Sequence, residues 1–311
     1  MSPATDKNPL PGRGRDVSRI MKSSPIHEKP IVFDCEGCRL VGIVTQPPKP
    51  SETGVVIIVG GPQYRAGSHR QFTLLARHLA DQGIASIRFD YRGMGDSEGD
   101  MRNFEAVDAD IRAALETLKQ HGPKLRRIAL WGLCDAASAA LYYAHTDARV
   151  TDLVLLNPWV HSPAGAARVQ LKHYYLSRLM QRSFWAKLLS GKVRLSESAQ
   201  SLASATRLAA PHAADVPADP RHGGPGYVAR MFEGLKQFRG NILFLLSGND
   251  LTAKEFIELT QRDKHWKKIC RSLKIKRETV KEANHTFSAR TWRAQVEAHT
   301  AQWISDCDTR P

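Results

Sequence analysis

The 311-residue chain has no apolar run approaching the ~20 residues that cross a bilayer, so no integral membrane segment is expected. It has only five cysteines, an odd number at irregular spacings, which argues against a disulfide framework and for a reducing cytoplasm. Cys35 and Cys38 form a C-x-x-C, but in a candidate hairpin, with no second ligand pair at zinc spacing, so no metal is expected. The glycine-rich "GMGDSEG" lacks the Gly-Lys-Ser/Thr ending of a phosphate loop. Helix-turn-helix, RNP-type aromatic and zinc-finger patterns are also missing, although the formal charge is +14. The basic residues are scattered, with local enrichment in 165–194 and 262–281. Nucleic acid is therefore not an expected partner; the charge suits an anionic substrate or peripheral contact with membrane headgroups. Residues 1–30 are basic and Pro/Gly-containing without a secretory apolar core, and are expected to be a flexible leader.

What the chain does contain is alternation of strand and helix patterns. "KPIVFDCEGCRLVGIVTQP" predicts a hairpin with Glu36-Gly37 as its two-residue turn. "GVVIIVGG" is short, apolar and β-branched, as expected of a strand covered on both faces. Helix patterns follow at residues 68–83 and 103–122, the second starting at an Asn103 cap, with a strand pattern at 84–93 between them. Strands are expected at 126–133, 151–159, 240–250 and 271–285, and helices after Cys134, over 252–270 and over 288–306. This order predicts an α/β chain with a mostly parallel central sheet flanked by helices, and functional groups at the C-terminal strand ends. Residues 31–159 and 240–307 form the two parts of that core. Residues 160–239, basic and amphipathic at first and rich in Ala, Pro and His later, are expected to be an inserted helical lid.

"GLCDA", residues 132–136, ends one such strand and opens a helix, the context of a nucleophile elbow written G-x-S-x-G in its usual form. A buried structural cysteine would also fit the pentapeptide alone. As a nucleophile, Cys134 would be drawn toward thiolate by the positive end of the helix that follows. Asp250 stands just past the strand "NILFLLSGND", and His285 just past the last strand in "KEANHTF". The order Cys134, Asp250, His285 is nucleophile, acid, histidine, each at its own strand end. Taken singly, Asp250 fits a helix cap and His285 a surface residue; the joint pattern is what points to chemistry. Oxyanion donors are expected from the amide of Asp135 and, after "VVIIVGG", from that of Gln63, because Pro62 has none, with Tyr64 as the second candidate. Tyr64, Arg65, His69 and Arg70 in that loop, together with Asn157 and Trp159 past another strand, are candidates for substrate contact. His161, Tyr174, Tyr175, Phe184 and Trp185 are candidates to line an acyl pocket beneath the lid.

"GGP", "FDYRGMGDSEG", "GLC", "SGND" and "NHTF" together resemble an α/β-hydrolase over nearly the whole chain past residue 30. "GGPQYRAGSHRQF", "WGLCDAASA", "KLLSGK" and "SGNDLTAKEF" more specifically resemble the exosortase A system-associated hydrolase 1 family. That resemblance implies a cytoplasmic hydrolase-type enzyme encoded beside surface-polysaccharide and protein-sorting genes. Two departures stand out: Cys134 replaces the superfamily's commoner serine, as in dienelactone-hydrolase-like members, and Ala136 replaces the last glycine. The expected activity is cleavage of a small-molecule or carrier-bound ester or thioester through a Cys134 acyl-enzyme, without a cofactor. Acyl transfer from the same intermediate is the alternative, and a non-catalytic scaffold on membrane assembly machinery is the rival of another class. The acyl group, the acceptor and the oligomeric state leave no mark in the sequence.

Overall fold

The computed structural model describes residues 26–61, 63–160, 226–271 and 274–308. Strands β1 (His27–Cys35) and β2 (Cys38–Gln46) form the expected hairpin. Glu36 and Gly37 take φ of 50° and 81°, the double left-handed turn whose twist matches two adjoining strands. Next come β3 (Thr53–Ile58), α1 (Gln71–Asp81), β4 (Ala85–Phe89), α2 (Asp108–His121), β5 (Arg127–Leu133), α3 (Asp135–Tyr143) and β6 (Val150–Leu156). After residue 225 follow α4 (Tyr227–Gln237), β7 (Asn241–Ser247), α5 (Leu251–Arg262), α6 (Lys264–Ile269), β8 (Ile275–Val280) and α7 (Arg290–Asp308).

The strands make one eight-stranded sheet in the order β1-β2-β4-β3-β5-β6-β7-β8. β2 pairs antiparallel with β1 and β4; every pair from β4 to β8 is parallel. Strand alternation divides the core in two. Val56, Ile58, Leu130 and Phe244 face α2 through α6, whereas Val55, Ile57, Trp131 and Leu245 face α1 and α7. Side chains buried this fully contribute about 1.5–3 kcal/mol each, which is why the central strands are continuously apolar. The ends of β3, β5, β6, β7 and β8 thus lie along one edge of a rigid platform.

Two expectations need correction. Asn103 caps a short 3-10 turn, Phe104–Ala106, and α2 itself begins only at Asp108. The stretch 252–270 is two helices, because the Asp263 carboxylate accepts the amides of His265 and Trp266 and starts α6 afresh. Within the stretch 160–239, Val160, Tyr227, Met231 and Leu235 join the main core, with α4 against α3. The remainder of the expected lid, including His161, Tyr174, Tyr175, Phe184 and Trp185, lies outside the described residues.

Candidate active site

β5 runs into α3 through one residue, Cys134, whose backbone is at φ 63° and ψ −122°. A cysteine there is strained by about 1–3 kcal/mol and needs its surroundings to hold it. Those surroundings are explicit. The Cys134 amide donates to the Leu156 carbonyl at 2.8 Å, extending the β5–β6 ladder, and its carbonyl accepts from Ala137 at 3.1 Å and Trp159 at 3.3 Å. The turn also requires close approach of strand and helix. A Cβ at Gly132 would stand 2.6 Å from the Ala136 carbonyl carbon and oxygen, and Ala136, Ala137, Ala139 and Ala140 keep α3 slim. Ala136 is thus sterically adequate where the usual motif has glycine.

At the end of β7, Asp250 serves two partners with one oxygen. Its Oδ2 accepts the Ala253 amide at 2.9 Å, capping α5, and lies 3.0 Å from His285 Nδ1 in the loop after β8. Cap and histidine partner, alternatives in the sequence, coexist in the structure. Burial opposes ionisation of Asp250, but the hydrogen bond and charge of His285, with the amides of Ala253 and Thr252, hold its carboxyl below the usual range.

Asn157 lies where β6 ends, and the structure gives it a role other than substrate contact. It is fully buried, at φ 43°. Its Nδ2 donates to Ser247 Oγ at 2.8 Å and to the His285 carbonyl at 3.1 Å, while its Oδ1 accepts the Ser247 amide at 2.8 Å. Ser247 Oγ in turn donates to the Asn284 carbonyl at 2.9 Å. Asn157 is therefore a bracket that ties the histidine loop to the ends of β6 and β7.

The loop after β3 also departs from expectation. The Gln63 amide donates to the Gly61 carbonyl at 2.8 Å and is committed there, and the Gln63 side chain accepts the Ser68 amide at 3.0 Å. The amide that faces the nucleophile's turn is that of Gly61, which donates to Asp135 Oδ2 at 2.8 Å. Arg65, expected to meet an anionic substrate, instead ion-pairs with fully buried Asp90 and with Asp96. Its own amide reaches Asp90 Oδ1 at 2.6 Å, so this arginine anchors the loop. Tyr64, His69 and Arg70 are exposed, the last two at φ 52° and 60° before α1. Trp159 is half-buried against the core, and its carbonyl accepts Ser138 Oγ at 3.0 Å.

Cys134 itself is half-buried, and its electrostatics reverse one expectation. Burial pushes its thiol up, the charge of Asp135 adds to this, and that of Asp250 adds less; the Asp135 amide, donating to the sulfur, opposes them. The helix start does not offset burial and these charges, which favour the thiol over the thiolate. Burial likewise raises the Asp135 carboxyl, against the amides of Gly61, Ala136 and Asp135 itself and the charge of His285. Burial also raises two phenols. The Asp135 charge reinforces the rise at Tyr91, and Tyr142, Glu255 and then Cys134 reinforce it at Tyr227. Gly61, Tyr91, Tyr227 and Ser247 escaped the sequence reading. Of these only Gly61, next to a proline after a buried strand, carried a local signal.

Among the described residues no group of three or more His, Cys, Asp or Glu is placed to hold a metal, and no helix is long and apolar enough to cross a membrane. None of the five cysteines forms a disulfide bond. A family model described as serine aminopeptidase, S33, matches residues 50–237, more than half of the chain. A polyketide transferase, grgF, of a Penicillium species is 32% identical over 104 residues. That match covers 31% of this chain and 34% of the transferase, so the chain spans about a third of that relative's length. The esterase Pf2001 of Pyrococcus furiosus superposes with a TM-score of 0.60 at 14% identity, covering 90% of this chain and 91% of the esterase. Est1E of Butyrivibrio proteoclasticus, solved with ferulic acid bound, gives 0.60 at 13% identity, over 90% of this chain and 100% of that one. A dienelactone hydrolase of Anabaena variabilis gives 0.56 at 12%, over 90% and 98%.

Proposed function

Because this chain belongs to the family described as serine aminopeptidase, S33, and has the α/β-hydrolase fold, we propose that it cleaves a carboxylic ester or thioester through Cys134, His285 and Asp250. The observation that carries this reading is the 3.0 Å contact between His285 Nδ1 and Asp250 Oδ2. It supports the tautomer in which Nδ1–H donates a hydrogen bond to the carboxylate and Nε2 is left as the base. Since burial and charge favour the thiol, His285 takes its proton as the attack proceeds. Sγ bonds to the acyl carbon, the carbonyl π pair moves to oxygen, and the Asp135 amide helps hold the resulting charge. Collapse expels the alcohol or thiol, which leaves with the proton from His285. Water, activated by the same imidazole, then cleaves the thioester and restores the thiol.

Transfer to an alcohol or amine acceptor is the second reading, supported by the partial similarity to a protein named as a polyketide transferase. Five cysteines without a disulfide among them support a cytoplasmic setting, and the motif resemblance supports a link to exosortase and exopolysaccharide systems. The acyl substrate would be small or carrier-bound. The test is intact-mass labelling of native protein and Cys134→Ala with p-nitrophenyl acetate. One adduct on native protein, absent from the variant, is expected, and its decay with and without acceptor alcohols separates hydrolysis from transfer. Equal labelling of both proteins would overturn the reading, and labelling of neither would favour the scaffold.

A further inference from the structure

The Asp135 carboxyl has no part in the mechanism above, yet it lies against the groups that carry it out. Its Oδ2 takes the Gly61 amide at 2.8 Å and its Oδ1 takes the Ala136 amide at 3.0 Å. The loop is shaped to this carboxyl: a Cβ at Gly60 would collide with Oδ1 and stand 2.7 Å from the Leu133 carbonyl oxygen. The Gly61 amide, which the loop after β3 aims at the Cys134 turn, is therefore occupied by an acid in the resting protein. The oxyanion donor, the Asp135 amide, belongs to that same residue.

We infer that the side chain of Asp135 acts in the acyl-transfer step, and that only its neutral form is competent. The inference rests on Cys134 being the nucleophile. A carboxylate bound to the Gly61 amide would put a negative charge one hydrogen bond from the place where the oxyanion's charge grows. Like charges at that separation in a half-buried site oppose the transition state. A neutral carboxyl removes this repulsion and turns an acceptor into an O–H donor, adding to the hole instead of competing for it. No proton leaves Asp135 during the step: the thiol proton goes to His285, and the carboxylic O–H only hydrogen-bonds to the oxyanion. The titratable groups acting on this carboxyl are Cys134 on its own turn, Tyr91 from the loop after β4 and His285 from the loop after β8. The loop after β3 presents the backbone of Gly60 and Gly61 to it. Burial already favours the neutral form over that of an ordinary aspartate.

The experiment is the pH dependence of acylation by p-nitrophenyl acetate, followed by intact mass, for native protein, Asp135→Asn, Asp135→Ala and Cys134→Ala. The native rate is expected to fall about tenfold per pH unit as Asp135 ionises. Asp135→Asn, neutral at every pH and still able to donate, should lose the falling limb and outpace native protein at the alkaline end. Asp135→Ala should also lose the falling limb, but stay slower than Asp135→Asn for want of the donor. A native profile with no falling limb overturns the inference without any variant. So does a falling limb that persists in Asp135→Asn. Cys134→Ala labelling like native protein would instead overturn the nucleophile assignment, a separate failure.

Discussion

Replacing Asn157 by alanine should disable the protein without touching any group that reacts. Three hydrogen bonds disappear: two donated by Nδ2, to Ser247 Oγ and the His285 carbonyl, and one accepted by Oδ1 from the Ser247 amide. Ser247 Oγ keeps its bond to Asn284, so the Ser247 amide and the His285 carbonyl lose the most. Each buried polar group left unpaired costs about 1–3 kcal/mol. Alanine tolerates φ of 43° less well than asparagine, which adds about 1 kcal/mol. The sum is about 3–7 kcal/mol, a drop of roughly 5–11 °C in Tm for a chain of this size. The bracket also sets the height of the histidine loop, and a displacement of about 1 Å there costs about 100-fold in rate. Thermal melts and steady-state kinetics on an ester substrate would measure both effects. The loss should fall on kcat, with KM little changed, because Asn157 is buried away from substrate. A rise in KM with kcat and Tm intact would refute the reasoning and restore Asn157 as a pocket residue.

Two further outcomes follow from charged groups elsewhere. Arg65→Met strips the buried Asp90 of its cation and should destabilise by about 3 kcal/mol, with KM for anionic and neutral esters changing alike. A KM increase confined to anionic esters, without a change in melting, would return Arg65 to the substrate. Asp147 is held down at about 2, chiefly by its hydrogen bond to Arg149, with help from the Tyr143 hydroxyl against burial. Its folded pKa lies below its unfolded value, so its contribution is present above the ordinary aspartate range and vanishes as pH falls through about 2. Asp147→Asn should therefore be less stable than native protein by about 1 kcal/mol near neutrality, after allowance for solvent screening, and nearly equal to it in strong acid. Urea melts across that range would show a constant difference if the reasoning were wrong.

Much of the fold was legible because its signals are local. Glu36-Gly37 between two β-branched runs can hardly be other than a tight hairpin, and small residues around Cys134 betray a sharp strand-to-helix turn. The placement of Asp250 and His285 followed from one rule, that loops at the C-terminal ends of parallel strands converge. Where a local signal had a competitor, the sequence reading slipped. Asp263 could continue a helix or cap a new one, and only its bonds to His265 and Trp266 decide for the cap.

Periodicity, turn residues and the order of chemical groups along the chain determined the sheet, its covering helices and the neighbourhood of Cys134. They could not determine the partners of polar groups. Arg65 in a loop looks available to a ligand until β4 delivers a buried carboxylate, 25 residues away, beneath it. Asn157 meets Ser247 and His285 across separations of 90 and 128 residues, which no local pattern encodes. The same holds for Cys134. A helix start alone favours thiolate, but burial and the charges of Asp135 and Asp250 depend on what the finished fold brings near. Hydrophobic pattern acts through neighbours in sequence, whereas desolvation and charge act through neighbours in space, and only the tertiary structure supplies those.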